Sequence, residues 1–80
     1  MSYPRNAVAK LRHRDGDDCA ICGEPIDFTL PPSPAPQRSM NATIDHRVSR
    51  ADGGRDSLAN LQLAHGRCNQ RKGPRSWPAA

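Results

Sequence analysis

Ala42-Thr43-Ile44-Asp45-His46-Arg47-Val48, Asp52-Gly53-Gly54, Leu58-Ala59-Asn60-Leu61-Gln62-Leu63 and His65-Gly66-Arg67-Cys68-Asn69-Gln70-Arg71-Lys72 follow one another in the second half of the chain. The first segment carries β-branched residues and alternates Ile44, His46 and Val48 against Asp45 and Arg47, which predicts a short strand over 42–48. Asp52-Gly53-Gly54 predicts a turn. The segment 58–63 is too short for its period to decide between helix and strand. The last segment predicts a short helix, stopped by Gly73-Pro74.

Something besides apolar burial must hold such a chain together. Leu, Ile, Val and Phe together make 11 of its 80 residues, about 14% and below the roughly 20% at which chains usually stay disordered. Ordering each residue costs on the order of 1.5 kcal/mol, so a disulfide, a metal or a partner is required. Three cysteines, Cys19, Cys22 and Cys68, cannot all pair within one chain, whereas three thiols and one histidine complete a Cys3His zinc set. Cys19-Ala20-Ile21-Cys22-Gly23 has the shape of a zinc knuckle, with glycine relieving the turn behind the second sulfur. The plainer reading is two buried thiols.

Upstream, Ala7, Val8 and Leu11 fall on one face and predict a helix over residues 4–14, with Pro4 in its first turn and Asp15-Gly16 ending it. Its Arg5, Lys10, Arg12 and Arg14 are read either as a solvated face or as phosphate contacts. His13 is read as surface. Four prolines between Leu30 and Gln37 exclude a helix or central strand and predict an exposed loop over 30–40. The start of the sequence lacks a signal-peptide apolar run, and nothing approaches the ~18 apolar residues of a membrane span, so a reduced, cytoplasmic setting without a membrane partner is expected. A net charge of +4, +3 with three thiolates and one zinc ion, favours a polyanionic partner.

The pair Asp45-His46, the double glycine, Asn60 in N-L-Q-L, and a closing pair of metal-type ligands followed by Asn69 and Lys72, all downstream of the Cys19/Cys22 pair, resemble the HNH endonuclease family. The resemblance spans roughly residues 17–73, and the whole chain, residues 1–80, is read as a single domain with a tail over 74–80. His46 matches the first H of the pattern, Asn60 the N, and Asn69 replaces the last H, an HNN-type departure. The resemblance implies a small α+β fold, the ββα-metal finger. In it a two-stranded hairpin provides Asp45 and His46, the next helix provides Asn69, and Asn60 ties the loop between the strands. It further implies that Cys19, Cys22, His65 and Cys68 form the structural zinc shell, with His65 where many relatives carry cysteine.

The chemistry of these residue types agrees. Asp45 is a hard carboxylate ligand and Asn69 offers an amide oxygen, a pair suited to Mg2+ or Mn2+. His46, pointing away from Asp45 on a regular strand, suits the role of general base, since its ordinary pKa near ~6.5 lets it accept a proton from water near neutrality. Arg67, Arg71, Lys72 and Arg75 are the expected phosphate contacts, Arg71 and Lys72 first, and Trp77 is expected to pack back on the domain.

Read this way, the chain is a metal-dependent endonuclease that nicks or cuts DNA. The resemblance places it among small phage-type members, working in a bacterial or phage-infected cytoplasm beside a packaging or other specificity-giving protein. The competing expectation is a zinc-stabilised DNA-binding module that has lost catalysis through Asn69. A weaker third is a zinc knuckle that binds protein.

Overall fold

A computed structural model describes residues 3–29 and 40–77. Strand β1 runs Ala42–His46 and pairs antiparallel with β2, Leu61–His65, in a register that sets Ala42 opposite His65, Ile44 opposite Leu63 and His46 opposite Leu61. Helix α2, Gly66–Lys72, follows β2 with no intervening loop. An N-terminal helix α1, Ala7–Asp15, packs on β2. This is a small α+β domain with the ββα arrangement.

The undecided segment 58–63 divides. Leu58–Asn60 forms a 3-10 turn, and the strand begins at Leu61. All five residues of β2 are buried, because α1 and α2 both pack on it. Leu61-Gln62-Leu63 does alternate, but so short a run cannot set the period, and Gln62 is buried opposite Asp45 rather than exposed.

Three expected boundaries shift. Strand β1 ends at His46 rather than 48: Arg47 donates its N–H to the Asn60 carbonyl (2.9 Å is typical for such a bond; here 2.8 Å), and Val48 is exposed. The first helix begins at Ala7 rather than at Pro4, because Asn6 sits in the left-handed region (φ 56) and Ala7 bonds back to the Pro4 carbonyl in a preceding turn. Asparagine tolerates that conformation better than most residues. Helix α1 takes in Asp15, one residue past its expected end, and is capped by Gly16 (φ 83). Its Ala7 and Leu11 are buried and Val8 is half-buried, so the expected face is the one that packs.

The core comprises Leu11, Cys19, Ile26, Ala42, Leu61, Leu63, Ala64 and Cys68, rimmed by Val8, Ile21, Phe28, Ile44 and Leu58. Two of its eight buried members are thiols, so core and cysteine cluster are one structure. The Cys19–Cys22 turn is fastened to the sheet by the Ala20 N–H on the Leu63 carbonyl and closed by a bridge between Asp18 and Pro25. Past α2 the chain folds back: Trp77 is half-buried, with its N–H on the Arg47 carbonyl, and Ser76 bonds Asp52 and the Ser49 N–H. The proline-rich residues 30–39 lie outside the described residues. Among the described residues, no helix is long and apolar enough to cross a membrane.

Candidate functional site

Two clusters share α2. In the first, the ligand atoms of Cys19, Cys22, His65 and Cys68 all lie within 4.8 Å of one another. Tetrahedral zinc with bonds of about 2.3 Å holds its sulfurs about 3.8 Å apart, so these side chains fit the ion. His65 is fully buried, and its Nε2 lies 2.9 Å from the Pro25 carbonyl, which can only accept. Nε2 therefore carries the proton. The lone pair rests on Nδ1, the nitrogen that faces Cys22 Sγ at 3.4 Å and Cys68 Sγ at 3.8 Å, which is the second-contact arrangement common to zinc-binding histidines.

The thiols divide electrostatically. Burial pushes Cys19 up, but the backbone N–H groups of Cys22, His65 and Ile21 outweigh it and hold the thiol at about 7. Burial, reinforced by the neighbouring charge on Cys19, pushes Cys68 up to about 11. Zinc binding requires the three thiols to give up their protons, and the dication offsets the repulsion among the thiolates it creates. The chemistry and spacing of the donors make this a Cys3His zinc site.

The second cluster opens into a cavity of about 520 Å3, lined among others by Asp45, His46, Asn69 and Lys72. Asp45 is only 3% exposed, and its Oδ1 lies 2.9 Å from Lys72 Nζ while its Oδ2 accepts from Gln62 Nε2 at 2.8 Å. Lys72, expected at the surface as a phosphate contact, is instead buried against Asp45. Positions 69 and 72 lie one turn apart on α2 and share a face. That face turns inward, whereas Arg67 and Arg71 are exposed, as is Arg75, which bonds the Lys72 carbonyl through Nε. Asn69 donates its Nδ2 to Thr43 Oγ1 (3.2 Å), and Thr43 in turn donates to the Ala64 carbonyl. The amide thus spends a donor on the fold and keeps its oxygen as the atom able to meet a cation.

His46 turns to different partners. Its Nε2 lies 2.6 Å from Asp56 Oδ1, with both side chains largely buried, and its ring stands 5.8 Å from that of Tyr3. Arg50 reaches Asp56 as well, at 3.2 and 3.3 Å. The His46 ring, and after it Arg50, hold the Asp56 carboxyl below the usual carboxylate range. Asn60 accepts from the Val48 N–H and donates to the carbonyls of Val48 and Arg55, closing the loop between the strands. Gly54 is needed for that closure: a Cβ there would lie 1.8 Å from the Val48 oxygen and 2.8 Å from Asn60 Nδ2.

Sequence reasoning missed Asp56, Gln62 and Thr43, and it misplaced Lys72. Asp56 had no period or motif to mark it. Gln62 is directly opposite Asp45 once the register is known.

The family model of the HNH endonuclease matches residues 19–75. The chain belongs to the HNH endonuclease family. The match takes in the Cys3His cluster, both strands and the whole of α2. HNH membership implies a nuclease-type function with DNA as substrate and accounts for a metal-binding ββα fold. No curated protein and no solved structure matches the chain.

Proposed function

We propose that this HNH protein is a metal-dependent DNA endonuclease whose cut is made at the cavity shared by Asp45, His46 and Asn69. The observation that carries the reading is their convergence. A hard carboxylate, an amide oxygen and an imidazole, from two elements 24 residues apart in sequence (45 to 69), line one cavity. Asp45 and Asn69 would hold Mg2+ or Mn2+, since each Asp45 oxygen has a lone pair beyond its single hydrogen bond and both donors are hard oxygens. When bound, that ion supplies positive charge beside the scissile phosphate and the departing 3′ oxygen.

The chain's own side chains do the rest. His46 accepts a proton from the attacking water through the ring nitrogen that Asp56 leaves free. Asn60 holds the loop behind His46. Arg67, Arg71 and Arg75, exposed along and just past α2, take the flanking phosphates. Bond cleavage on the 3′ side of phosphorus leaves a 5′ phosphate and a 3′ hydroxyl, the leaving oxygen regaining its proton from solvent.

One observation favours a second reading, an inactive zinc-stabilised DNA-binding module: the Lys72 ammonium already neutralises Asp45. Plasmid nicking separates the two. Zinc-loaded protein is stripped of labile divalent metal, then supplied with Mg2+, Mn2+ or Ni2+, with His46→Ala assayed in parallel. Metal-dependent nicking that vanishes in the variant is the expected result. Zinc-loaded protein that binds DNA but never nicks it would transfer the proposal to the binding module.

A further inference from the structure

Asp56 is the acidic group nearest the proposed base, and nothing in the family pattern or in the zinc site requires it. Its carboxylate is 9% exposed and lies 2.6 Å from His46 Nε2. An ionised carboxylate can only accept, so the proton of a neutral His46 must reside on Nε2 and the lone pair on Nδ1. Asp56 is itself presented by the loop closure. Asn60 grips the carbonyl of Arg55, the residue immediately before Asp56, together with both backbone groups of Val48, two residues after His46. One asparagine thereby fixes the spacing between the strand end that carries His46 and the loop that carries Asp56. Arg50, more than half exposed, holds the other side of the carboxylate.

We infer that Asp56 is a positioning residue for the nuclease reaction, selecting Nδ1 of His46 as the proton-accepting atom and holding the ring in place, with Asn60 acting on His46 through Asp56. The inference rests on the reading of His46 as the base. It assigns a role to Asp56 and a route to the effect of Asn60. A purely structural Asp56, one that merely pins the loop by way of Arg50, would affect stability without altering which ring nitrogen is protonated.

The test pairs ring-nitrogen NMR with kinetics on the zinc-loaded full chain, at a pH where the ring is neutral. In the wild type the His46 ring-nitrogen shifts should report a single tautomer protonated at Nε2. Asp56→Ala should mix the tautomers. Asp56→Asn, close to isosteric and able to present its amide N–H to Nε2, should populate the form protonated at Nδ1. Zinc content and backbone spectra establish that each variant is folded, and Asp56→Asn serves should Asp56→Ala not fold. In plasmid nicking with Mg2+ or Mn2+, kcat should fall about 10²-fold in either variant, the lower part of the range for a positioned general base, with KM unchanged. A wild-type ring protonated at Nδ1, or a folded Asp56→Asn protein that nicks at the wild-type kcat, would overturn the inference. If the wild type nicks with no cation, the nuclease reading itself fails, and the tautomer measurement alone then decides whether Asp56 orients His46.

Discussion

A buried carboxylate held by a lysine ammonium on one oxygen and a glutamine amide on the other is shared between two possible cations, and Asp45 is such a group. Removing one partner of a buried ion pair typically costs roughly 3–5 kcal/mol, because the remaining charge is stranded. Lys72→Met should therefore lower the melting temperature without divalent metal, and Mg2+ should restore more stability to this variant than to the wild type. Adding Asp45→Asn should remove the extra Mg2+ response; equal Mg2+ shifts in all three proteins would take Asp45 out of the cation site. His46→Ala should abolish nicking while zinc content and DNA binding persist, and a variant that cuts at the wild-type rate would remove His46 from the base role. Asp45, His46 and Asn69 were singled out in sequence by the resemblance to the HNH pattern, and their residue chemistry made them candidates for cation binding and proton transfer. Lys72 was not: a lysine ending a basic helix reads as solvated until the packing of that helix is known.

The loop between the strands is the element whose geometry depends most on single atoms. Asn60 satisfies three backbone groups within it, and Gly54 leaves the space those bonds occupy. Gly54→Ala would force a methyl onto the Val48 carbonyl, so the loop must open; overpacking of this kind costs about 1–3 kcal/mol. The expected outcome is a modest fall in denaturant midpoint with a disproportionate loss of nicking, and an unchanged nicking rate would show that the loop does not govern His46. The double glycine was legible as a turn. Which of the two is sterically obligatory was not, since it depends on Val48 and Asn60 arriving at the same place. Likewise the strand after Asn60 could not be assigned by period, because the run is too short to distinguish helix from strand.

Across the whole molecule, zinc coordination and core packing are inseparable. Cys19 and Cys68 are core residues, and Cys68 directly precedes Asn69 on α2. Structural zinc contributes roughly 10–16 kcal/mol in small zinc-folded domains, more than the thin apolar core could replace. Cys68→Ser, or strong chelation of the wild type, should abolish the cooperative thermal transition and the cavity with it; an unchanged melting temperature would refute a structural ion. On the outer face of α2, Arg67→Ala combined with Arg71→Ala should weaken DNA binding uniformly across sequences and reduce the salt slope by about 1 per lost phosphate contact. A slope equal to that of the wild type would place the DNA elsewhere. The sequence by itself determined that the chain must be stapled and which residue types could hold zinc, because those properties follow from composition and residue chemistry. That the Asp-His strand and the Asn-bearing helix belong together was implied by the resemblance to the HNH pattern. Only the tertiary structure decided that Asp56 meets His46 and that Lys72 meets Asp45. Those contacts depend on strand register and on which face of α2 turns inward, and both are set by packing between segments distant in sequence.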